Sequence, residues 1–177
     1  MELTYRSVRV LAAAALVVSG VLVTSSASAD TARQEQEQEQ EQTKAGAKAA
    51  GAQIVSNYNN RCLNVAHLNT GDGVSVQMYD CDGSPSRRWT PNGNEFRSDL
   101  SGKCLEPALD NGDNGAAVQV FSCSGLKRQG WHWNGTELHT DLNHRCLTIT
   151  DANWWAGASV TLRDCVAGAG HQQWHAG

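Results

Sequence analysis

The sequence is poor in charge and has no long apolar run beyond its first segment. Only 18% of its 177 residues are charged, with 14 Lys and Arg against 18 Asp and Glu. No basic face stands out, which argues against a nucleic-acid partner, since such proteins carry a footprint rich in Lys and Arg. After residue 29 no apolar run is long enough to form a transmembrane helix.

Familiar signatures of enzymes are missing as well. The sequence contains no GxSxG, Walker or Rossmann motif. His171 and His175 have the spacing of a zinc-binding helix, but Gln replaces the general-base Glu, and on a strand the two rings would lie too far apart. His132, His139 and His144 show no ligand spacing. We therefore expect no catalytic residues, no metal and no cofactor.

The first 52 residues lack the pattern of a folded domain. Residues 1–29 combine Arg6 and Arg9, a short apolar stretch and small residues at 27–29, which favours a cleaved signal peptide over a membrane anchor. Residues 30–52 hold a Glu/Gln tract with no apolar face, which is typical of a disordered linker or of a tether. After cleavage we expect a secreted, extracellular protein without a membrane partner, in a compartment where disulfides persist.

What the chain does have is Gly, Trp and regularly spaced Cys. Seventeen Gly and six Trp fit a turn-rich β domain better than a helical bundle. The six cysteines form pairs 19 residues apart, and the pairs repeat every 42 residues, which indicates a repeated supersecondary unit. Zinc is the weaker alternative, because no CxxC pair exists. The pairing that keeps the units equivalent is Cys62–Cys81, Cys104–Cys123 and Cys146–Cys165.

Other positions follow the same period and predict the architecture. Alternating segments such as Val118–Phe121 predict short strands, four in each unit and about twelve in all. Trp89 and Trp131 keep the spacing and Trp174 comes one residue late, so we expect these rings in the core. A closed barrel leaves no exposed strand edge, and the sequence therefore predicts an all-β barrel with three-fold pseudosymmetry.

The repeated unit resembles a known family. Each unit contains Cys-Leu, a Gly and a Val-led strand before its second Cys, and residues 129–131 and 172–174 read Gln-x-Trp, whereas residues 87–89 read Arg-Arg-Trp. This pattern resembles the ricin B-chain type of β-trefoil lectin domain over residues 53–177. The resemblance implies a β-trefoil of three repeats that binds sugars.

The resemblance also implies where sugars would bind. A shallow sugar site needs an aromatic face for the ring and amides or a carboxylate for the hydroxyl groups. In this family those groups lie after the first Cys, before the second Cys and before the Trp, and no unit here keeps the full set. The third unit has Thr148 and Arg163 at two of these positions, so we expect it not to bind sugar in the way that the family does.

A different signal comes from the adjacent Trp154 and Trp155. They lie in a loop, and two neighbouring residues cannot both face the core, so at least one ring should be exposed and available to a ligand. Packing of one ring against the end of the barrel is the alternative.

For Gln77, Gln119 and Gln129 the alternative to sugar binding is a structural role, in which the side chain forms hydrogen bonds with neighbouring backbone groups. The candidate carbohydrate-binding residues are Asn64, Gln77, Tyr79, Glu106, Gln119, Phe121, Gln129, Trp154 and Trp155.

Together these patterns predict a secreted, non-catalytic lectin. Its partner would be a carbohydrate, galactose-like or xylan-like by the resemblance, and the protein would be a monomer. The alternative is a secreted protein-interaction or inhibitor scaffold whose sugar sites have decayed.

Overall fold

A computed structural model describes residues 51–177 of the chain. The predicted signal peptide and all but the last two residues of the predicted linker lie outside the described residues. The first strand begins at Ala52, one residue before the predicted start of the domain. Within the described part, no helix is long and apolar enough to cross a membrane.

Twelve short strands form the domain, four in each unit as predicted. The first unit contains β1 (Ala52–Ser56), β2 (Cys62–Val65), β3 (Val74–Tyr79) and β4 (Arg88–Asn92). The second contains β5 (Glu95–Ser98), β6 (Cys104–Pro107), β7 (Val118–Phe121) and β8 (Trp131–Asn134). The third contains β9 (Glu137–Thr140), β10 (Cys146–Ile149), β11 (Val160–Arg163) and β12 (Trp174–Ala176). In every unit a single 3-10 turn follows the second strand and another precedes the fourth.

The strands pair antiparallel into two sheets that leave few open edges. Eight strands follow the order β12-β1-β2-β3-β7-β6-β5-β4, and β4 pairs back with β1, so this sheet closes on itself. The other four follow the order β11-β10-β9-β8. Isolated bridges join Gln77 to Ser159 and Ala117 to Thr161, which links the third unit to the other two. Closure removes the unpaired backbone groups that would otherwise promote aggregation.

Three tryptophans hold equivalent places in the core, as the period predicts. Each indole N–H lies inside the barrel and would be costly to bury without an acceptor. In every unit the acceptor is the carbonyl oxygen of the Leu that follows the first Cys. The three bonds run from Trp89 to Leu63 (3.0 Å), from Trp131 to Leu105 (2.9 Å) and from Trp174 to Leu147 (3.0 Å).

The predicted disulfide pairing is confirmed. Cys62–Cys81, Cys104–Cys123 and Cys146–Cys165 are bonded, with Cα–Cα distances of 5.2, 5.1 and 5.2 Å. Each bridge ties the second strand of a unit to the chain just after its third strand. Closing a loop of this length stabilises a fold by roughly 3 kcal/mol in the chain-entropy model.

Candidate functional site

Three hollows lie at equivalent places on the surface, one in each unit. Each is bounded by the second and third strands and by the two 3-10 turns of its unit. The first hollow measures about 440 Å³, the second about 200 Å³ and the third about 500 Å³. Since the units share one backbone plan, the side chains decide what each hollow can hold.

The rim of every hollow has the same unusual backbone. Two consecutive residues that are not glycine adopt left-handed φ angles, at an ordinary cost of about 1–2 kcal/mol each. They are His67 and Leu68 (56° and 53°), Leu109 and Asp110 (57° and 58°), and Asp151 and Ala152 (52° and 50°). The recurrence of this conformation in three different sequences shows that the unit itself imposes the shape of the rim.

The first hollow presents amide groups that have no partner in the domain. Asn64 on β2 lies opposite Gln77 on β3, and both line the hollow. Within residues 51–177 neither amide group takes part in a hydrogen bond. The ring of Tyr79 stands at the mouth with 41% of the residue exposed. Two amides can donate to and accept from hydroxyl groups, and the ring offers an apolar face.

Arg87 forms one wall of the first hollow. Its guanidinium carbon lies 5.0 Å from the centre of the Tyr79 ring, which is cation–π distance. It also forms an ion pair with Asp82 and donates to the hydroxyl of Ser84 (2.8 Å). Hydrogen bonds from Arg87 and then from Ser84 lower the pKa of Asp82 to about 2. Arg87 thus holds Tyr79 in place and covers part of its ring.

The second hollow is nearly filled by its own polar groups. The Glu106 carboxylate is 2% exposed and accepts hydrogen bonds from Gln119 (3.1 Å), Gln129 (2.7 Å) and Arg128 (3.0 Å). Phe121 lies at the rim. Because three donors already occupy the carboxylate, little of its accepting capacity is left for a ligand.

Gln129 lies beneath the second hollow and does not face solvent. It is 0% exposed, and its oxygen accepts from the backbone N–H of Ser124 (2.7 Å) while its nitrogen donates to the carbonyl of Ser122 (3.1 Å). Gln172 makes the equivalent bonds in the third unit. Gln129 therefore orients Glu106 and joins neighbouring backbone, which is the structural role that the sequence left open.

The third hollow is the largest and has its charges at the rim. Thr148 at its floor is buried; it accepts from Gln172 (3.1 Å) and donates to the carbonyl of Cys146 (2.9 Å). The third hollow therefore has a hydroxyl group at the position where the second hollow has the carboxylate of Glu106. Asp151 and Arg163 lie instead at the mouth, 3.8 Å apart.

Trp154 and Trp155 are both exposed, by 50% and 73%. The edge of Tyr58 meets Trp154 with 5.2 Å between ring centres, and the Tyr58 hydroxyl donates to the carbonyl of Ala152 on the rim of the third hollow (3.0 Å). Tyr58 also lies 6.4 Å from the ring of His171, which lines that hollow. Sequence reasoning missed Tyr58, because it belongs to the first unit and lies 94 residues from Ala152 in the chain.

Comparison with known proteins supports the fold. A sequence model of the ricin-type beta-trefoil lectin domain matches residues 49–174.

Solved structures of the same fold are also similar to this chain. A designed three-fold symmetric protein, ThreeFoil, is similar with a TM-score of 0.65 and 24% identity, over 71% of this chain and 96% of that one. The C-terminal half of an earthworm R-type lectin, solved with GalNAc, has a TM-score of 0.60 and 18% identity, over 71% and 95% of the two chains. The β-trefoil lectin of a Vibrio vulnificus hemolysin, solved with N-acetyl-D-lactosamine, has a TM-score of 0.56 and 25% identity, over 73% and 95%. No curated protein matches the chain. The predicted β-trefoil is thereby confirmed.

Proposed function

The chain belongs to the ricin-type β-trefoil lectin family, and from that premise we propose that it is an extracellular, non-catalytic carbohydrate-binding protein. Relatives of similar fold were solved with GalNAc and with N-acetyl-D-lactosamine, which both contain a galactose-type ring. This supports a galactose-like ligand ahead of a xylan-like one. Three disulfides and the signal-peptide pattern of residues 1–29 support the extracellular location.

The observation that carries this proposal is the first hollow. Asn64 and Gln77 line it and make no hydrogen bond within the described domain, and Tyr79 is exposed beside them. Two amides next to an aromatic ring suit a sugar, which has hydroxyl groups at its edge and C–H groups on its face. The first unit is therefore the proposed primary site, with Asn64 and Gln77 orienting the hydroxyls and Tyr79 packing against the ring.

Trp154 and Trp155 form the second proposed contact surface. Trp154 is connected to the rim of the third hollow through Tyr58, which packs against the Trp154 ring and donates to the carbonyl of Ala152, and Trp155 is its exposed neighbour in the chain. A longer glycan bound at the mouth of that hollow could pack a further ring against either indole. Two weak sites on one chain would add through avidity on a multivalent surface.

The second unit has a structural role in this proposal. Glu106 accepts hydrogen bonds from Gln119, Gln129 and Arg128, so these groups hold the unit together and leave only the half-buried ring of Phe121 at the rim. Sugar binding at this unit is not part of the proposal.

A glycan array tests the function directly. The purified full chain is applied to immobilised galactose-terminated glycans and xylan oligosaccharides, and reducing-end release is assayed in parallel. We expect binding to a galactose-type set without any release. Release of reducing ends would contradict the non-catalytic proposal.

The same array tests the second candidate function, a protein-interaction scaffold. That candidate is favoured by the closed second hollow and by Leu109, which is 93% exposed on its rim. Absence of any bound glycan at high protein concentration would support the scaffold and contradict the lectin.

Replacing Trp154 and Trp155 together by Ala tests the second surface. Binding to extended glycans should fall, while binding to a monosaccharide at the first hollow should be unchanged. Trp133→Ala is the matched control, because Trp133 is a partly exposed indole (37%) on another face that packs against Phe96. Equal behaviour of the double variant and the control would remove the Trp pair from the site.

A further inference from the structure

Arg163 lines the third hollow at a position where the other two units carry an aromatic ring. In each unit the last residue of the third strand pairs with the first cysteine. The three pairs are Tyr79 with Cys62, Phe121 with Cys104, and Arg163 with Cys146. Because the register is the same, the Arg163 side chain leaves its sheet on the same face as the two rings. The fold accepts an aromatic residue at this position and does not require a charge.

The guanidinium of Arg163 makes no hydrogen bond within residues 51–177. The other six arginines of that range each donate to at least one oxygen. Asp151 approaches Arg163 to 3.8 Å, which is longer than a hydrogen bond. With 43% and 85% of the two side chains exposed, this ion pair contributes little to stability. The N–H donors of Arg163 are therefore available to a ligand at the mouth of the hollow.

The floor of the third hollow lacks the negative charge that would oppose an anion. Thr148 stands where the second unit has Glu106, and its hydroxyl group is neutral. The carboxylate of Asp164 also lines the hollow, but its two oxygens accept from Asn114 (2.6 Å) and Arg145 (2.8 Å). Compared with the second unit, the third has a hydroxyl group in place of an acid and a cation in place of a ring. Both differences favour a negatively charged ligand.

A sugar that carries a carboxylate suits this arrangement. The two oxygens of a carboxylate lie in one plane and match the parallel N–H groups of a guanidinium, and the hydroxyl groups of the sugar can bond the remaining polar groups. The hollow, at about 500 Å³, has a volume in the range of small-molecule sites. General positive charge cannot attract such a ligand, because the chain has a net charge of −4. The attraction must come from Arg163 itself.

We propose that the third hollow binds the carboxylate of a uronic acid, and that Arg163 selects acidic over neutral sugars. The inference rests on the proposed carbohydrate-binding function and adds a ligand class to it. That ligand class follows from the two residues, Thr148 and Arg163, at which this unit departs from the family pattern. The neutral sugar proposed for the first hollow is bound independently.

Calorimetric titration of the full chain with two matched ligands tests this assignment. Trigalacturonic acid carries carboxylates, and its methyl ester has the same rings and linkages without the charge. We expect the acid to bind about 10-fold more tightly, and the difference to shrink as salt screens the charges. Arg163→Gln should weaken binding of the acid about 10- to 100-fold, through the loss of charge-assisted hydrogen bonds, and should leave binding of the ester unchanged.

Lys127→Gln is the matched control, because it removes the same charge from an exposed residue that lines none of the three hollows. It should leave binding of the acid unchanged, and an equal loss for Lys127→Gln and Arg163→Gln would overturn the assignment. Arg163→Tyr places the residue of the first unit at this position and should lose the acid as Arg163→Gln does. Circular dichroism reports whether each variant folds.

The remaining outcomes separate this inference from the proposed function. Equal affinity for the acid and the ester, or binding of neutral glycans alone, would overturn the uronic acid assignment and leave the lectin function intact. Tighter binding of a sulfated galactose oligosaccharide than of trigalacturonic acid would also overturn the assignment to a carboxylate. Absence of binding to any glycan would overturn both proposals.

Discussion

The first and second hollows occupy the same place in their units, yet one is open and the other is nearly filled. The first, about 440 Å³, has Asn64 at its floor; the second, about 200 Å³, has Glu106 at the equivalent position. Ser86 stands in the first unit where Arg128 stands in the second. A carboxylate at the position that the family pattern favours has therefore not produced the more open hollow, because the neighbouring guanidinium of Arg128 pairs with it.

The difference follows from the cost of burying charge. A buried carboxylate is strongly unfavourable unless it is paired and hydrogen-bonded, so Glu106 requires Arg128 and two amides around it. A neutral amide costs less to bury than a charge, so Asn64, which is 5% exposed and lines the first hollow, can remain without a partner in the domain. A carboxylate at the floor therefore draws neighbouring side chains into the hollow, unless a ligand supplies the hydrogen-bond donors.

Removing the floor residue of each hollow should have the largest effect and separates the two most clearly. Glu106→Ala leaves Arg128, Gln119 and Gln129 without their acceptor, and breaking a buried pair in this way costs about 3–5 kcal/mol in the free energy of unfolding. Asn64→Ala should cost about 1 kcal/mol or less, since no bond in the domain is lost. Urea unfolding with the disulfides intact measures both values.

Two outcomes of that experiment would contradict the comparison. Equal losses for the two variants would mean that water satisfies Glu106, so that the second hollow is open in solution. A large loss for Asn64→Ala would mean that its amide has a structural role and is not held for a ligand.

The aromatic residues at the two rims should differ in their effect on sugar binding. Tyr79→Ala removes the ring of the proposed primary site and should weaken binding about 30-fold, equivalent to about 2 kcal/mol for a central contact. Phe121→Ala is its matched control in the second unit and should leave affinity unchanged. Calorimetric titration with the sugar selected by the array compares the two.

A loss shared equally between Tyr79→Ala and Phe121→Ala would show that the second hollow binds sugar despite Arg128. No loss for Tyr79→Ala would move the primary site elsewhere on the domain.

The sequence predicts the repeat and therefore most of the fold, but it does not predict these differences. The 42-residue period is enough to assign the disulfides, and together with the alternation of apolar and polar residues it predicts the core Trp positions and the twelve strands. The closure of the second hollow depends on a contact between Glu106 and Arg128, which lie 22 residues apart in the chain. Contacts of this kind join residues whose spacing matches no known motif, so the sequence pattern does not predict them.

The smallest expected effect concerns the Asp82–Arg87 pair, which replaces Ser124 and Gln129 of the second unit. Hydrogen bonds from Arg87 and then Ser84 hold the pKa of Asp82 at about 2, so Arg87→Gln should raise that pKa toward its ordinary value of 3.8. Because the pKa of Asp82 is lower in the folded than in the unfolded chain, ionised Asp82 stabilises the fold above pH 3.8, and this contribution is lost as the pH falls through about 2. In the Arg87→Gln variant, most of the loss of stability in acid that is due to Asp82 should disappear. A carbon-13 NMR titration measures the shift, with Asp164 as internal control, whose pKa is lowered by Asn114 and Arg145 and should not move. An unchanged pKa of Asp82 would mean that backbone donors, and not the guanidinium, hold this wall of the first hollow in place.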